Sequence, residues 1–256
     1  MAYVYGPVPS WRMGKSLGID LLSVEEKTCP FDCIYCQLGR TVNKQIRREK
    51  FIDLRLLKAE LETIKDKVRA DCATFSGTGE PTLACNLGEA IELVKKILSL
   101  PVAILTNAAL LKDEEVLLSL LKADLVIAKL DASREEVFQT VNQPAAELSL
   151  NDIKEGLWQF RARYKKKLAL QMMFIQANKD CAGEMAQLAK AIAPDEVQIN
   201  TPLRPCSVKP LSQKEIAAIL KEFFTLKKVT TVYGATRPIV TPLNLAETIR
   251  RRPEYR

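Results

Sequence analysis

Residues 28–38 read TCPFDCIYCQL, so three cysteines, Cys29, Cys33 and Cys36, fall in a C-x3-C-x2-C pattern on one short stretch. Thiolates this close can converge on one soft metal centre, and iron-sulfur clusters are held by Cys thiolates in such compact arrays. Three ligands to a four-iron cluster leave the fourth iron without a protein ligand, open to another molecule. Two alternatives stand beside this reading: a zinc site, or an accidental grouping. Zinc normally takes a fourth Cys or His close by, and the chain contains no His at all.

A second candidate stretch, Ser76-Gly77-Thr78-Gly79-Glu80-Pro81, follows a short apolar run. Gly77 and Gly79 lack the side chains that would keep backbone away from a ligand, and Glu80 and Pro81 charge and stiffen the same turn. A plain tight turn is the alternative. Thr106 and Asn107 close one expected strand, and Lys129 and Asp131 close the next. In a parallel barrel the strand C-termini face the catalytic side, so these four have a directional reason to meet ligands, although each could instead cap a helix. Lys129 can also snorkel outward. Arg12 and Ser16 precede the first expected strand and are positioned to fold across the mouth, where Arg12 could meet a substrate anion, or to form an exposed arm. Cys206 is a candidate covalent handle or hydrogen donor, or a small hydrophobe like Cys72, Cys85 and Cys181.

The elements that must position these residues show in the apolar periodicity. Strands are expected at 18–24, 72–75, 102–105, 125–130, 168–175 and 197–199. Helices are expected at 54–68, 87–98, 111–121, 153–164 and 181–192, with Asp53 as the N-cap of the first. Strands alternating with helices through short connections argue a parallel sheet covered by helices. An α/β partial (β/α)6 barrel and a doubly wound sheet fit that pattern equally. Beyond Pro210, Ser212 with Glu215 forms a capping-box pattern for a helix over 213–224, then a strand over 229–232 and a last helix over 243–251 are expected. Residues 1–210 therefore read as a core with an N-terminal arm, and 211–256 as a small C-terminal helical extension.

Lys and Arg outnumber Asp and Glu by 38 to 31, a net charge of +7 that permits, without requiring, a phosphate-rich partner. The basic residues come in groups, at 47–50, at 161–167 and at 250–256, each readable as a solvated face or a phosphate contact. Seven Cys without a secretory signal pattern fit a reducing cytoplasm better than a disulfide framework. No apolar run reaches membrane-spanning length.

The cysteine loop with its Tyr35 resembles that of radical S-adenosylmethionine enzymes, and the resemblance extends over roughly residues 18–205. It implies the partial (β/α)6 TIM-like barrel, one 4Fe-4S cluster on Cys29, Cys33 and Cys36, and S-adenosylmethionine completing the unique iron. It further implies that the cofactor's methionyl amine meets the turn of Gly77, Thr78, Gly79 and Glu80. Tyr35, Thr106, Asn107, Asn200 and Arg204 are implied as further cofactor contacts, Asn200 and Arg204 near the adenosine. Asn107, Lys129, Asp131 and Cys206 are carried as candidate catalytic residues. An electron donor such as flavodoxin or ferredoxin follows as a partner.

More narrowly, Tyr5-Gly6-Pro7-Val8-Pro9-Ser10 and Ser16-Leu17-Gly18-Ile19-Asp20 resemble the wyosine-synthesis branch, which implies a tRNA or other RNA substrate. That branch carries extra cysteines before the barrel, and none precedes Cys29 here. A peptide or small-metabolite substrate is the alternative within catalysis. A zinc-stabilised nucleic-acid-binding module is the alternative outside it.

Overall fold

A computed structural model describes residues 2–253. The chain opens with an antiparallel pair, β1 (Val4–Ser10) and β2 (Gly14–Ile19). Two short strands in the cysteine region, β3 (Thr28–Cys29) and β4 (Asn43–Lys44), pair with each other. Then come β5 (Cys72–Phe75), β6 (Val102–Thr106), β7 (Leu125–Lys129), β8 (Lys167–Met173), β9 (Glu196–Asn200) and β10 (Val229–Thr231). The helices are α1 (Leu54–Ile64), α2 (Leu87–Leu98), α3 (Glu114–Leu120), α4 (Glu135–Val141), α5 (Leu150–Arg163), α6 (Ala182–Ile192), α7 (Gln213–Glu222) and α8 (Leu245–Arg251).

The main sheet runs β1-β2-β5-β6-β7-β8-β9-β10, parallel from β2 onward. A doubly wound sheet reverses its strand order at a switch point. Here spatial neighbours follow chain order without reversal, so right-handed crossovers lay the helices on one face and the sheet curls around the other. The result is the partial (β/α)6 barrel, bordered by β1 at one edge and β10 at the other.

Side chains alternate across this curled sheet with a period of two. Leu17, Ile19, Ala73, Phe75, Ile104, Val126, Ala128, Leu168, Leu170 and Met172 point outward and join the apolar core beneath the helices. The intervening Ser16, Thr74, Leu105, Ile127, Lys129, Gln171 and Met173 line an interior cavity. One strand sequence thus builds a dry layer and a functional lining at once.

Helix ends follow the expected chemistry. Asp53 caps α1 by accepting from Arg55 N at 2.9 Å, and Ser212 with Glu215 forms a complete capping box on α7. Two expectations change. The first strand is the β1–β2 hairpin rather than 18–24; Pro7 and Pro9, read as turn residues, sit in β1 at the sheet edge, where a missing N–H is tolerated. Gly18 is needed in β2 because a Cβ there would meet the Tyr5 ring at 2.1 Å. The second change is α4, a helix not anticipated between 130 and 153. At the other end of the chain, β10 pairs with β9 and α8 packs on β1. Among the described residues, no helix is long and apolar enough to cross a membrane.

Candidate active site

The cavity measures about 330 Å³ and runs from the C-terminal ends of the parallel strands, past Ser16 and Thr74, to the β1–β2 turn at the N-terminal end of β2. Cys29, Cys33 and Cys36 all line it, and none is in a disulfide. Their loop hangs between two walls. On one side, Thr28 bridges Gly79: Glu80 N donates to Thr28 O at 3.2 Å, and Thr28 N to Thr78 O at 3.4 Å. A Cβ on Gly79 would stand 1.8 Å from that Thr28 carbonyl, so the approach requires glycine. On the other side, Asp32 N donates to Asn142 O at 3.0 Å and Ile34 N to Val141 O at 3.1 Å, which fixes the loop to the end of α4. Between the walls Phe31 is buried edge-on against Phe138 of α4, with ring centroids 5.3 Å apart.

Two amides face the sulfurs. Asn107 Nδ2 lies 3.4 Å from Cys29 Sγ, and Asn142 Nδ2 lies 3.4 Å from Cys33 Sγ. Burial pushes both thiols up, with Glu80 and Cys33 adding to the effect at Cys29 and Asp131 at Cys33; the Lys129 charge opposes it at Cys33. Thiolates in this place therefore need a cation to displace their protons. Among the described residues, no three Cys, Asp or Glu side chains gather tightly enough for a single metal ion. Amide donors to the sulfurs suit an iron-sulfur cluster, since such hydrogen bonds tune cluster potential. The residues present fit a four-iron cluster.

Glu80 is buried and organises the turn. Its Oε1 accepts from Thr82 N at 3.2 Å, Thr82 Oγ1 at 2.8 Å and Thr106 Oγ1 at 2.7 Å, while Oε2 accepts from Asn107 N at 2.7 Å. The carboxylate thus ties the end of β5 to the end of β6, and it lines the cavity with Gly77, Gly79, Thr106 and Asn107. Gly77 has φ +153°, and a Cβ there would meet the Asp20 carboxyl at 2.2 Å.

Other expected residues divide. Arg12, Ser16, Tyr35, Lys129, Asn200 and Arg204 also line the cavity. Ser16 shares a 2.7 Å hydrogen bond with Thr74, and Arg204 donates to Gln37 Oε1 at 2.5 Å. The Lys129 ammonium sits 4.4 Å from the Tyr35 ring centroid. Three residues lie off the cavity. Thr78 turns to Asp20, donating from N at 3.2 Å and from Oγ1 at 3.0 Å to Oδ2. Asp131 is buried behind the wall, where it accepts from the Tyr35 hydroxyl, Asn142 Nδ2 at 3.0 Å and Met173 N at 2.8 Å. Cys206 donates to Val208 O at 3.2 Å.

In the basic groups at 161–167 and 250–253, several side chains are already paired within the chain. Arg161 pairs with Asp195 at 2.8 Å, Arg163 with Glu114 at 2.6 Å and Lys167 with Glu196 at 2.9 Å. They occupy the end of α5 and the start of β8, at the opposite end of the sheet from the cysteine loop. Arg251 is buried, with Nε 2.7 Å from Asp20 Oδ2 and NH2 2.6 Å from Ala2 O. Arg256 lies outside the described residues.

Sequence reasoning did not single out Asp20, Asn142 or Arg251 as site residues. Asp20 closes β2 and accepts from Leu22 N at 3.2 Å and Ser23 N at 3.0 Å as well as from Thr78 and Arg251. Its signal was its place at the end of an apolar strand. Asn142 had no signal without α4, and Arg251 looked like one more charge in an arginine run.

Comparisons with known proteins agree with this geometry. The chain is 37% identical over 227 residues to a UPF0026 protein of Methanocaldococcus jannaschii, an alignment covering 86% of this chain and 70% of that protein. It is 40% identical over 212 residues to a UPF0026 protein of Synechocystis, covering 82% and 78%. Its fold is similar to Streptococcus suis SuiB bound to S-adenosylmethionine, with TM-score 0.62, 14% identity and coverage of 80% of this chain and 48% of that one. It is also similar to anSMEcpe with bound AdoMet, with TM-score 0.63, 16% identity and coverage of 85% and 64%. This chain accordingly spans about half the length of SuiB and under two thirds of anSMEcpe. The family model described as the Radical SAM superfamily matches residues 27–189. The chain therefore belongs to the Radical SAM superfamily, whose enzymes work with a 4Fe-4S cluster and S-adenosylmethionine.

Proposed function

We propose that this chain holds the cluster on Cys29, Cys33 and Cys36, binds S-adenosylmethionine against the 77–80 turn, and directs the resulting radical at a substrate in the strand-end cavity. The cluster, when bound, supplies one electron to the cofactor, whose cleavage at carbon 5′ gives a deoxyadenosyl radical able to abstract hydrogen.

The chain's own contribution is placement and charge. Thr28 and Gly79 hold the cysteine loop against the glycine turn, so ligand groups from both share one small volume. Asn107 serves both sides of that contact, giving its backbone N–H to Glu80 and its amide to Cys29. Gly77 and Gly79 line the cavity, and their missing side chains let Asp20 and the Thr28 carbonyl pack directly on the turn that would meet the cofactor's ammonium and carboxylate. Tyr35, Asn200 and Arg204 complete the wall.

The observation that carries this reading is the backbone contact between Thr28 and Gly79. It joins two motifs 51 positions apart and admits only glycine on one side. The narrower likeness of residues 5–10 and 16–20 to wyosine-synthesis enzymes favours an RNA substrate, while the ion pairs of Arg161, Arg163 and Lys167 and the burial of Arg251 engage part of the basic charge within the chain.

Metal and sulfide analysis after anaerobic reconstitution tests the site. Wild-type protein and Cys206→Ala are expected to carry about four irons with matching sulfide. Cys33→Ala is expected to lose the intact cluster. One zinc without sulfide, or full iron in Cys33→Ala, contradicts the proposal.

A further inference from the structure

The cavity is far more cationic than a zwitterionic cofactor requires. Glu80 is its one acidic lining residue among the described residues, and its carboxylate already accepts four hydrogen bonds. Several of the lining cations have partners. Lys27 lies 3.8 Å from Asp32, Lys129 lies 3.5 Å from Asp131, and Arg251 pairs with Asp20. Arg204 is held by the Gln37 amide.

Arg12 differs. It sits in the tight turn joining β1 to β2, where Ser10 Oγ accepts from Arg12 N at 3.3 Å and Met13 N at 3.2 Å. Its guanidinium carbon lies 5.5 Å from the Trp11 ring centroid, and its Nε is buried with no hydrogen-bond partner. Burial together with the nearby positive charges of Arg252 and Arg237 brings its pKa down to about 10. A buried donor left without a partner costs free energy until an acceptor joins it. Gln171 Nε2, on β8 in the same cavity, is a second buried donor without a partner. Two unspent donors, on a wall whose one acidic residue among the described residues already accepts four hydrogen bonds, describe a site that lacks its acceptor.

We propose that Arg12, with Arg237 on the same cavity wall, binds the carboxylate or phosphate of a small organic substrate and so orients that substrate in the cavity. The assignment rests on the proposed function for its cofactor and adds the class of molecule acted on. A guanidinium presents a planar fork that matches either oxyanion through two parallel hydrogen bonds. Its recessed Nε favours a terminal group that enters the cavity over a phosphate within a polymer backbone.

The test uses the anaerobically reconstituted protein saturated with S-adenosylmethionine, so that the cofactor's own carboxylate is already in place. Inorganic phosphate and, separately, succinate are titrated calorimetrically, with ionic strength held constant by sodium chloride. Saturable binding of at least one probe is expected, about tenfold weaker in Arg12→Gln and in Arg237→Gln, with partial recovery in Arg12→Lys. The tighter probe then identifies a phosphorylated or a carboxylated substrate. Arg237 is exposed, so its variant keeps the test valid if the hairpin variant folds poorly. Iron content and cofactor affinity are measured in each variant; their loss in the wild type would count against the proposed function rather than the anion site. Absence of saturable binding, equal binding by Arg12→Gln, or competition between phosphate and S-adenosylmethionine would overturn the assignment. Tighter binding of an unstructured oligonucleotide than of either small probe would overturn it as well, in favour of RNA.

Discussion

Arg251 and Asp20 form a buried ion pair, with Nε 2.7 Å from Oδ2 and side-chain exposures of 0% and 2%. The same carboxylate receives the backbone N–H and hydroxyl of Thr78, so the last described helix grips the glycine turn through one acidic residue at the end of β2. A segment that follows the barrel in sequence thus helps to shape its ligand-binding end.

Arg251→Ala leaves Asp20 with its backbone donors but without its countercharge. Breaking one side of a buried pair costs about 3–5 kcal/mol. Denaturant unfolding should show a loss of that order, accompanied by weaker S-adenosylmethionine binding. A loss within experimental error of zero would mean that α8 does not support the turn.

Gly79→Ala should damage the site through backbone geometry alone. Its Cβ would stand 1.8 Å from the Thr28 carbonyl, forcing the cysteine loop away from the turn. Iron retention and cofactor affinity should both fall. Gly39→Ala is the control: Gly39 has φ +78° but no neighbour within 4 Å of an added Cβ, so the cost is only about 1–2 kcal/mol of left-handed strain. Equal iron content in the two variants would refute the steric argument.

Asn107 and Asn142 should set the potential of the cluster. An N–H pointing at a thiolate sulfur stabilises negative charge, which favours the reduced state. Asn142→Ala should therefore lower the midpoint potential in a redox titration followed by paramagnetic resonance, while most iron is retained. An unchanged or higher potential would contradict the role. The variant also frees Asp131 of one donor, so Asn142→Ser serves to separate the effects.

Glu80 gives a pH signature. Burial lifts its carboxyl above the ordinary 4.5, against the opposing hydrogen bonds from Asn107, Thr106 and Thr82. The unfolded chain ionises first as pH rises, so the stability this group contributes is full below about 4.5 and is lost as pH climbs through the raised value. Unfolding free energies of wild type and Glu80→Gln, compared from about pH 5 to pH 8, should diverge in slope, with the wild type falling more. Parallel curves would show that the hydrogen bonds offset burial completely.

Much of this arrangement was legible in the sequence because it depends on local patterns. The C-x3-C-x2-C loop, the glycine turn and the polar residues ending β6 and β7 are short motifs, and the strand-helix alternation placed them at one end of a parallel sheet. Asp53 and Ser212 were readable as caps because capping is decided within a few residues. The rest depends on contacts between distant segments. No local property tells that Arg251 is buried against Asp20 while its neighbour Arg250 follows the same helix, nor that Thr78 turns outward to the same carboxylate while Gly77 and Gly79 on either side face the cavity. Arg161 and Arg163 looked available because their partners, Asp195 and Glu114, lie 34 and 49 positions away. β1 was hidden by its prolines, which are acceptable only because the strand lies at the sheet edge.

The central claim is that the cysteine loop and the glycine turn act as one cofactor-cleaving site. Its most direct test is to incubate the reconstituted protein with S-adenosylmethionine and dithionite, then quantify 5′-deoxyadenosine and methionine by liquid chromatography. Wild-type protein should form both in equal amounts, and Cys33→Ala should form neither. No 5′-deoxyadenosine from wild-type protein carrying a full complement of iron and sulfide would contradict the account.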